Sequence, residues 1–243
     1  MVVEKEFYKR LRLLWWVFLG MQVYSFLESV LIKIAYNVLN DYLYRGVEPS
    51  EAKVRFVRFV VEKGDVFSYI GISVALIYFA TMLLLRKYSK GLLITAVIGI
   101  IVTGLSLFNQ VSYRYEYIDS PKVLFVMYAF ILGSLVIEVL FALSMMKLVK
   151  PFSKDITTLW MIYLMAVTAD YVLRIMNAGL TILVSNGREK AETFLDLVSV
   201  IQNIYGYLMI PFEIICFLLT LLMFKKKLCK ENTKETGELT WQN

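Results

Sequence analysis

Six apolar stretches of 18 or more residues, each bounded by clusters of charge, dictate what this chain can fold into. A helix rises about 1.5 Å per residue, so every stretch is long enough to cross the ~30 Å hydrocarbon core of a bilayer. In that core each backbone N–H and C=O must find a partner within the protein, and single apolar runs do so as helices. The spans read as residues 13–37, 66–85, 92–111, 123–146, 156–184 and 194–224. The last two exceed about 20 residues, which predicts tilt, a kink or protrusion into the interface. Hydrophobic residues make up 59% of the 243 and charged ones 19%, below the roughly 25% of soluble domains. The expected fold is therefore an all-α integral membrane protein, a single six-transmembrane-helix bundle over residues 1–228.

Lys and Arg counts on alternating sides orient the spans. Fifteen cations fall on the side of the N-terminal tail, the second and fourth connections and the C-terminal tail, from Lys5 to Lys234. The other side has nine cations and nine carboxylates, so it is neutral. Both termini are expected in the cytoplasm of a cell-membrane, multi-pass protein, and the net charge of +6 is a topology signal rather than a nucleic-acid surface. No cleavable signal peptide is expected, because the first apolar run carries Trp15, Trp16, Gln22 and Glu28 past any small-residue cleavage site. Residues 229–243 are polar and read as a disordered cytoplasmic tail.

The long first connection reads as structured. Pro49 and Ser50 suggest a helix start and Gly64 a stop, with Val54, Val57 and Val61 on one stripe. A short amphipathic helix over 48–64, lying in the outer interface, is expected. Trp15, Trp16, Tyr88 and Trp160 near one set of ends and Tyr42, Tyr44, Tyr113, Tyr115 and Tyr117 near the other read as an aromatic belt. Helices two, four and six end alike, at Thr81-Met82, Ser144-Met145 and Thr220-Leu221, which a triplicated hairpin or chance likeness among Leu-rich helices explains.

Ionisable residues inside the spans are the sharper clue, since a charge at the bilayer centre costs about 2.5–3.5 kcal/mol. Glu138 lies about 14 Å in from Lys147 and Glu213 about 18 Å in from Lys225, near the midplane. Asp170 and Glu28 fall in the outer half, with Arg174 one turn beyond Asp170. Asp170 and Arg174, four apart, share a helix face, and Glu28 is a second candidate partner for Arg174. Lys33 is close enough to the outer interface to snorkel. No cation is assured at the depth of Glu138 and Glu213, so they hold a proton within a helix contact or carry a proton or cation. Pro211, with Asn203 and Gly206, makes the sixth span the most interrupted.

Absences bound the chemistry. The chain has no histidine, which excludes His-ligated haem, His-containing zinc or copper sites and imidazole triads. Two cysteines cannot form a Cys-only metal site, and no Gly-rich phosphate loop occurs. No cofactor or metal is expected, and a non-enzymatic role is favoured over an intramembrane enzyme built on carboxylates alone. Two roles follow. One is a small transporter or channel-like protein using Glu138 and Glu213 for proton, cation or substrate binding, with Asp170, Arg174 and Glu28 as an outer gate. The other is a non-catalytic membrane subunit or scaffold whose polar groups pair with a partner's helices. The expected partners are the lipid bilayer and another copy or a second membrane protein.

Overall fold

A computed structural model describes residues 2–112, 121–185 and 190–239. It contains six helices: α1 (Val2–Arg45), α2 (Glu51–Leu83), α3 (Lys90–Ser112), α4 (Pro121–Val149), α5 (Lys154–Ser185) and α6 (Lys190–Leu239). Each is long and apolar enough to cross a membrane, and each expected span lies within one helix except the second, 66–85, which runs two residues past the end of α2. Every helix packs on the next in sequence, and α1 returns against α6 to close the bundle.

Local chemistry sets the helix ends. Gly46 takes a left-handed φ of 63°, which a residue with a Cβ rarely adopts, and α1 stops just before it. The Ser89 hydroxyl accepts from Leu92 N–H at 3.2 Å and Ser153 accepts from Ile156 N–H at 3.3 Å, capping α3 and α5. Arg10 donates to the Leu84 carbonyl at 2.7 Å, placing a cation on an orphan acceptor at the end of α2.

Helices overshoot the spans. The segment 48–64 is not a separate interfacial helix. It begins at Ser50 as expected, but the helix runs through Gly64 without a break and becomes the first half of α2. A single glycine costs only about 1 kcal/mol in a helix interior, too little to stop one with apolar helix on both sides. Likewise α6 continues as helix to Leu239, through residues that read as an unordered tail.

The buried core is confined to one end of the bundle. It comprises residues within 7–18 of α1, 78–85 of α2 and its following turn, 92–96 of α3, 141–149 of α4, 160–171 of α5 and 213–224 of α6. Beyond those intervals only Ala35, Val60 and Val198 are buried hydrophobics among the described residues. This packed end is the one flanked by most of the lysines and arginines; toward the other end the described side chains are mostly half-buried or exposed. Close approach at the packed end is visible at Gly99, where a Cβ would stand 2.3 Å from the Phe79 ring.

The aromatic belt is only partly what the sequence suggests. Trp16, 61% exposed, faces outward. Trp15 and Trp160 are instead buried, and Trp160 donates its indole N–H to Thr220 Oγ1 at 2.9 Å. An indole can enter a core when its N–H finds an acceptor there. Tyr113, Tyr115 and Tyr117 lie outside the described residues.

Candidate functional site

On each inward-facing stripe, aromatic residues give way to polar ones at a shared level. Phe18 of α1, Tyr78 of α2, Phe141 of α4 and Phe217 of α6 meet across the bundle axis, with ring centroids 5.3–6.4 Å apart. One turn outward from Phe18 stands Gln22, one turn outward from Phe141 stands Glu138, and one turn outward from Phe217 stands Glu213. Trp160, Tyr163, Val167, Asp170, Tyr171 and Arg174 follow one another along a single face of α5 at helical spacing.

Those polar groups converge. Tyr163 donates its hydroxyl hydrogen bond to Glu138 Oε2 at 2.8 Å, linking α5 to α4, and Glu213 of α6 lies within electrostatic reach of both groups. Gln22 Nε2 donates to Glu213 Oε2 at 2.9 Å, bringing in α1. Tyr78 lies within electrostatic reach of both carboxyls from α2. Glu213 is 8% exposed and Glu138 is half-buried.

The Asp170–Arg174 pair caps this group on the side away from the packed end. Arg174 Nε donates to Asp170 Oδ2 at 2.7 Å, and the guanidinium carbon lies 5.2 Å from the Tyr171 ring. Asp170 is 5% exposed whereas the Arg174 side chain is 45% exposed, so the acid is buried and the base reaches the surface of the bundle. Asp170 Oδ1 is buried and accepts no hydrogen bond among the described residues. Both members act on Glu138 through space. A buried acid tied to a half-exposed arginine, next to two further carboxyls, makes one connected electrostatic network spanning α4, α5 and α6.

Glu28 is placed differently. It stands against α2, its Oε2 3.7 Å from where a Cβ on Gly71 would lie, and beside Tyr24, whose hydroxyl donates to the Phe67 carbonyl. The ion partner of Arg174 among the described residues is Asp170. Lys33 approaches the Tyr207 hydroxyl at 3.4 Å and its ring centroid at 5.2 Å, joining α1 to α6 in the half away from the packed end. Further out, Asn177 donates to Ser199 at 3.1 Å and Gln202 at 2.6 Å, so α5 and α6 stay linked by polar contacts.

Tyr163, Gln22 and Tyr78 are members of the site that sequence reasoning passes over. Tyrosine and glutamine in an apolar run resemble filler, yet each stands on the same stripe as buried aromatic residues, a periodicity that could have identified them. Pro211 remains inside α6, where its missing N–H leaves the Tyr207 carbonyl without its helical partner two residues from Glu213. Among the described residues no three His, Cys, Asp or Glu side chains gather into a metal-holding group. No protein-family model matches the chain, no characterised protein is significantly similar to it, and no solved structure matches it.

Proposed function

We propose that the chain is a small cell-membrane transporter or channel-like protein, without enzymatic activity, in which Glu138 and Glu213 bind a proton or cation. Both termini lie in the cytoplasm in this reading, as the distribution of lysine and arginine demands. The observation that carries it is the convergence of Glu138, bonded to Tyr163, and Glu213, bonded to Gln22, within electrostatic reach of each other in the bundle interior. Two carboxyl groups this close in a low-dielectric interior repel strongly unless a proton or cation compensates them. Carboxyls so placed can exchange that proton or cation with whichever side has access. The loosely packed half above them provides an approach from outside, and the ring of Phe18, Tyr78, Phe141 and Phe217 blocks passage below. Asp170 and Arg174 form the outer gate; Glu28 contributes charge on the α2 side.

A second reading, a non-catalytic subunit or scaffold, is favoured by the exposure of Lys33 and Arg174 in the outer half, where a partner's helices would cover them. Purification in mild detergent followed by reconstitution separates the two. The transporter reading expects the chain alone, as a monomer or homo-oligomer, to pass protons or cations down an imposed gradient. Recovery with a stoichiometric membrane partner, and no flux without it, would support the second.

A further inference from the structure

The hydrogen bonds around Glu138 and Glu213 discriminate between the ions that could compensate them. Each carboxyl already accepts from a donor: the Tyr163 hydroxyl meets Glu138 Oε2 at 2.8 Å, and the Gln22 amide meets Glu213 Oε2 at 2.9 Å. Each donor sets a positive hydrogen against an oxygen that a metal ion would need. Hard cations also want many oxygens, about six to eight for calcium and about six for magnesium. Here α4 and α6 supply one carboxyl each, and among the described residues no third acid joins them in a metal-holding group. Asp170, the other acid of the network, is bonded through Oδ2 to Arg174. A proton needs a single lone pair.

Charge points the same way. Arg174 lies within electrostatic reach of Glu138. A metal ion at the carboxyls would bring a second cation toward that guanidinium in a low-dielectric interior, whereas a proton leaves a neutral carboxyl beside it. When the proton departs, the same guanidinium is a counter-charge for the carboxylate left behind. The other titratable groups facing the pair are Tyr78 from α2 and Tyr163, Asp170 and Tyr171 from α5. On α1 the facing group is the neutral Gln22, while Glu28 stands against α2 and Lys33 against Tyr207. α3 has no Asp, Glu, Arg, Lys or Tyr beyond Lys90 at its start. We propose that the ion this site binds is a proton and not a metal ion, with Arg174 as counter-charge for Glu138 once the proton has left. The inference rests on the assignment of Glu138 and Glu213 as the ion site and narrows it. The proton adds to a carboxylate oxygen and leaves to water, with no other bond made or broken.

Two measurements on the full chain test it. In proteoliposomes holding a pH-sensitive dye in N-methylglucamine buffer, with thiocyanate as permeant counter-anion, a pH gradient should drive proton entry with no metal ion present. Glu138→Gln keeps an oxygen able to ligate a metal but has no proton to exchange, so entry should fall to that of protein-free vesicles. Tracer sodium, rubidium and calcium, offered at equal pH, should enter no faster than into protein-free vesicles. Infrared difference spectra of the detergent-solubilised chain between acid and alkaline pH are the second readout. They should contain a protonated-carboxyl band that Glu138→Gln diminishes, Glu138→Asp retains, and sodium or calcium leaves unchanged. Tracer entry that Glu138→Gln removes, proton entry only after a metal ion is added, or loss of the band on adding sodium or calcium would overturn the proposal. The metal-insensitive band without movement of protons or tracers would support proton binding at Glu138 and contradict the transport reading instead.

Discussion

Tyr163 holds the Glu138 carboxyl by its hydroxyl and lies within electrostatic reach of Glu213. Tyr163→Phe keeps the ring among Trp160 and Phe212 and deletes only the hydroxyl. Interhelical hydrogen bonds in membranes are worth about 0.6 kcal/mol on average and rarely more than ~1.7. The variant should therefore fold, with a small fall in thermal unfolding temperature in detergent, while proton or cation flux drops sharply. Thr220→Val should behave in the opposite way. It leaves the buried Trp160 N–H without its acceptor, costing about 1–3 kcal/mol, and flux per folded molecule should be unchanged. Thermal unfolding and reconstituted flux, measured on both variants, distinguish a site residue from a core residue. At this scale the sequence is legible only in part. Glu138, Glu213, Asp170 and Arg174 stand out because lipid penalises charge, and the i,i+4 pairing of Asp170 with Arg174 follows from helical spacing alone. The meeting of Glu138 with Glu213 depends on how α4 and α6 are rotated against α5, and nothing in the spacing within one helix records that.

At the scale of the element, two glycines expose what holds the helices. Gly99 packs so tightly on Phe79 that Gly99→Ala forces the ring to move, and overpacking of this kind costs about 1–3 kcal/mol. Gly104, five residues on in the loosely packed half, has open space where a Cβ would go, so Gly104→Ala should not destabilise. Gly64 discriminates between two accounts of α2. Inside a continuous helix with nothing near it, Gly64→Ala should stabilise by about 0.5–1 kcal/mol, read as a raised unfolding temperature. Were Gly64 the stop of a separate interfacial helix, the same change would be neutral or harmful. The existence and order of all six helices were legible because a bilayer admits few alternatives to apolar helices of about 20 residues. Their true lengths were not. Charges beyond the membrane mark the end of an apolar run but do not terminate hydrogen bonding, so the 44 residues of α1 and 50 of α6 extend well past the spans. Trp15 and Trp160 misled for a related reason: position along a helix resembles a belt, whereas burial depends on which face meets the neighbours.

Across the whole molecule, the uneven packing matters most. The buried core ends at the level of the carboxyl cluster, and the proposed function takes the half beyond it as the approach. On α4, Ser134, Glu138 and Ala142 follow one another a turn apart along one face. In a Cys229→Ser background, a cysteine at 134 should react readily with a water-soluble thiol reagent and one at 142 should not, since Ala142 is fully buried. Reaction at both positions, or at neither, would remove the asymmetry on which the proposed approach depends. Flux in proteoliposomes, comparing the unmodified chain with Glu138→Gln and Glu213→Gln, tests the central claim most directly. The account predicts gradient-driven proton or cation flux that either substitution abolishes while elution and unfolding temperature stay close to those of the parent. Flux that survives both substitutions, or its absence from the well-folded parent chain, would contradict it.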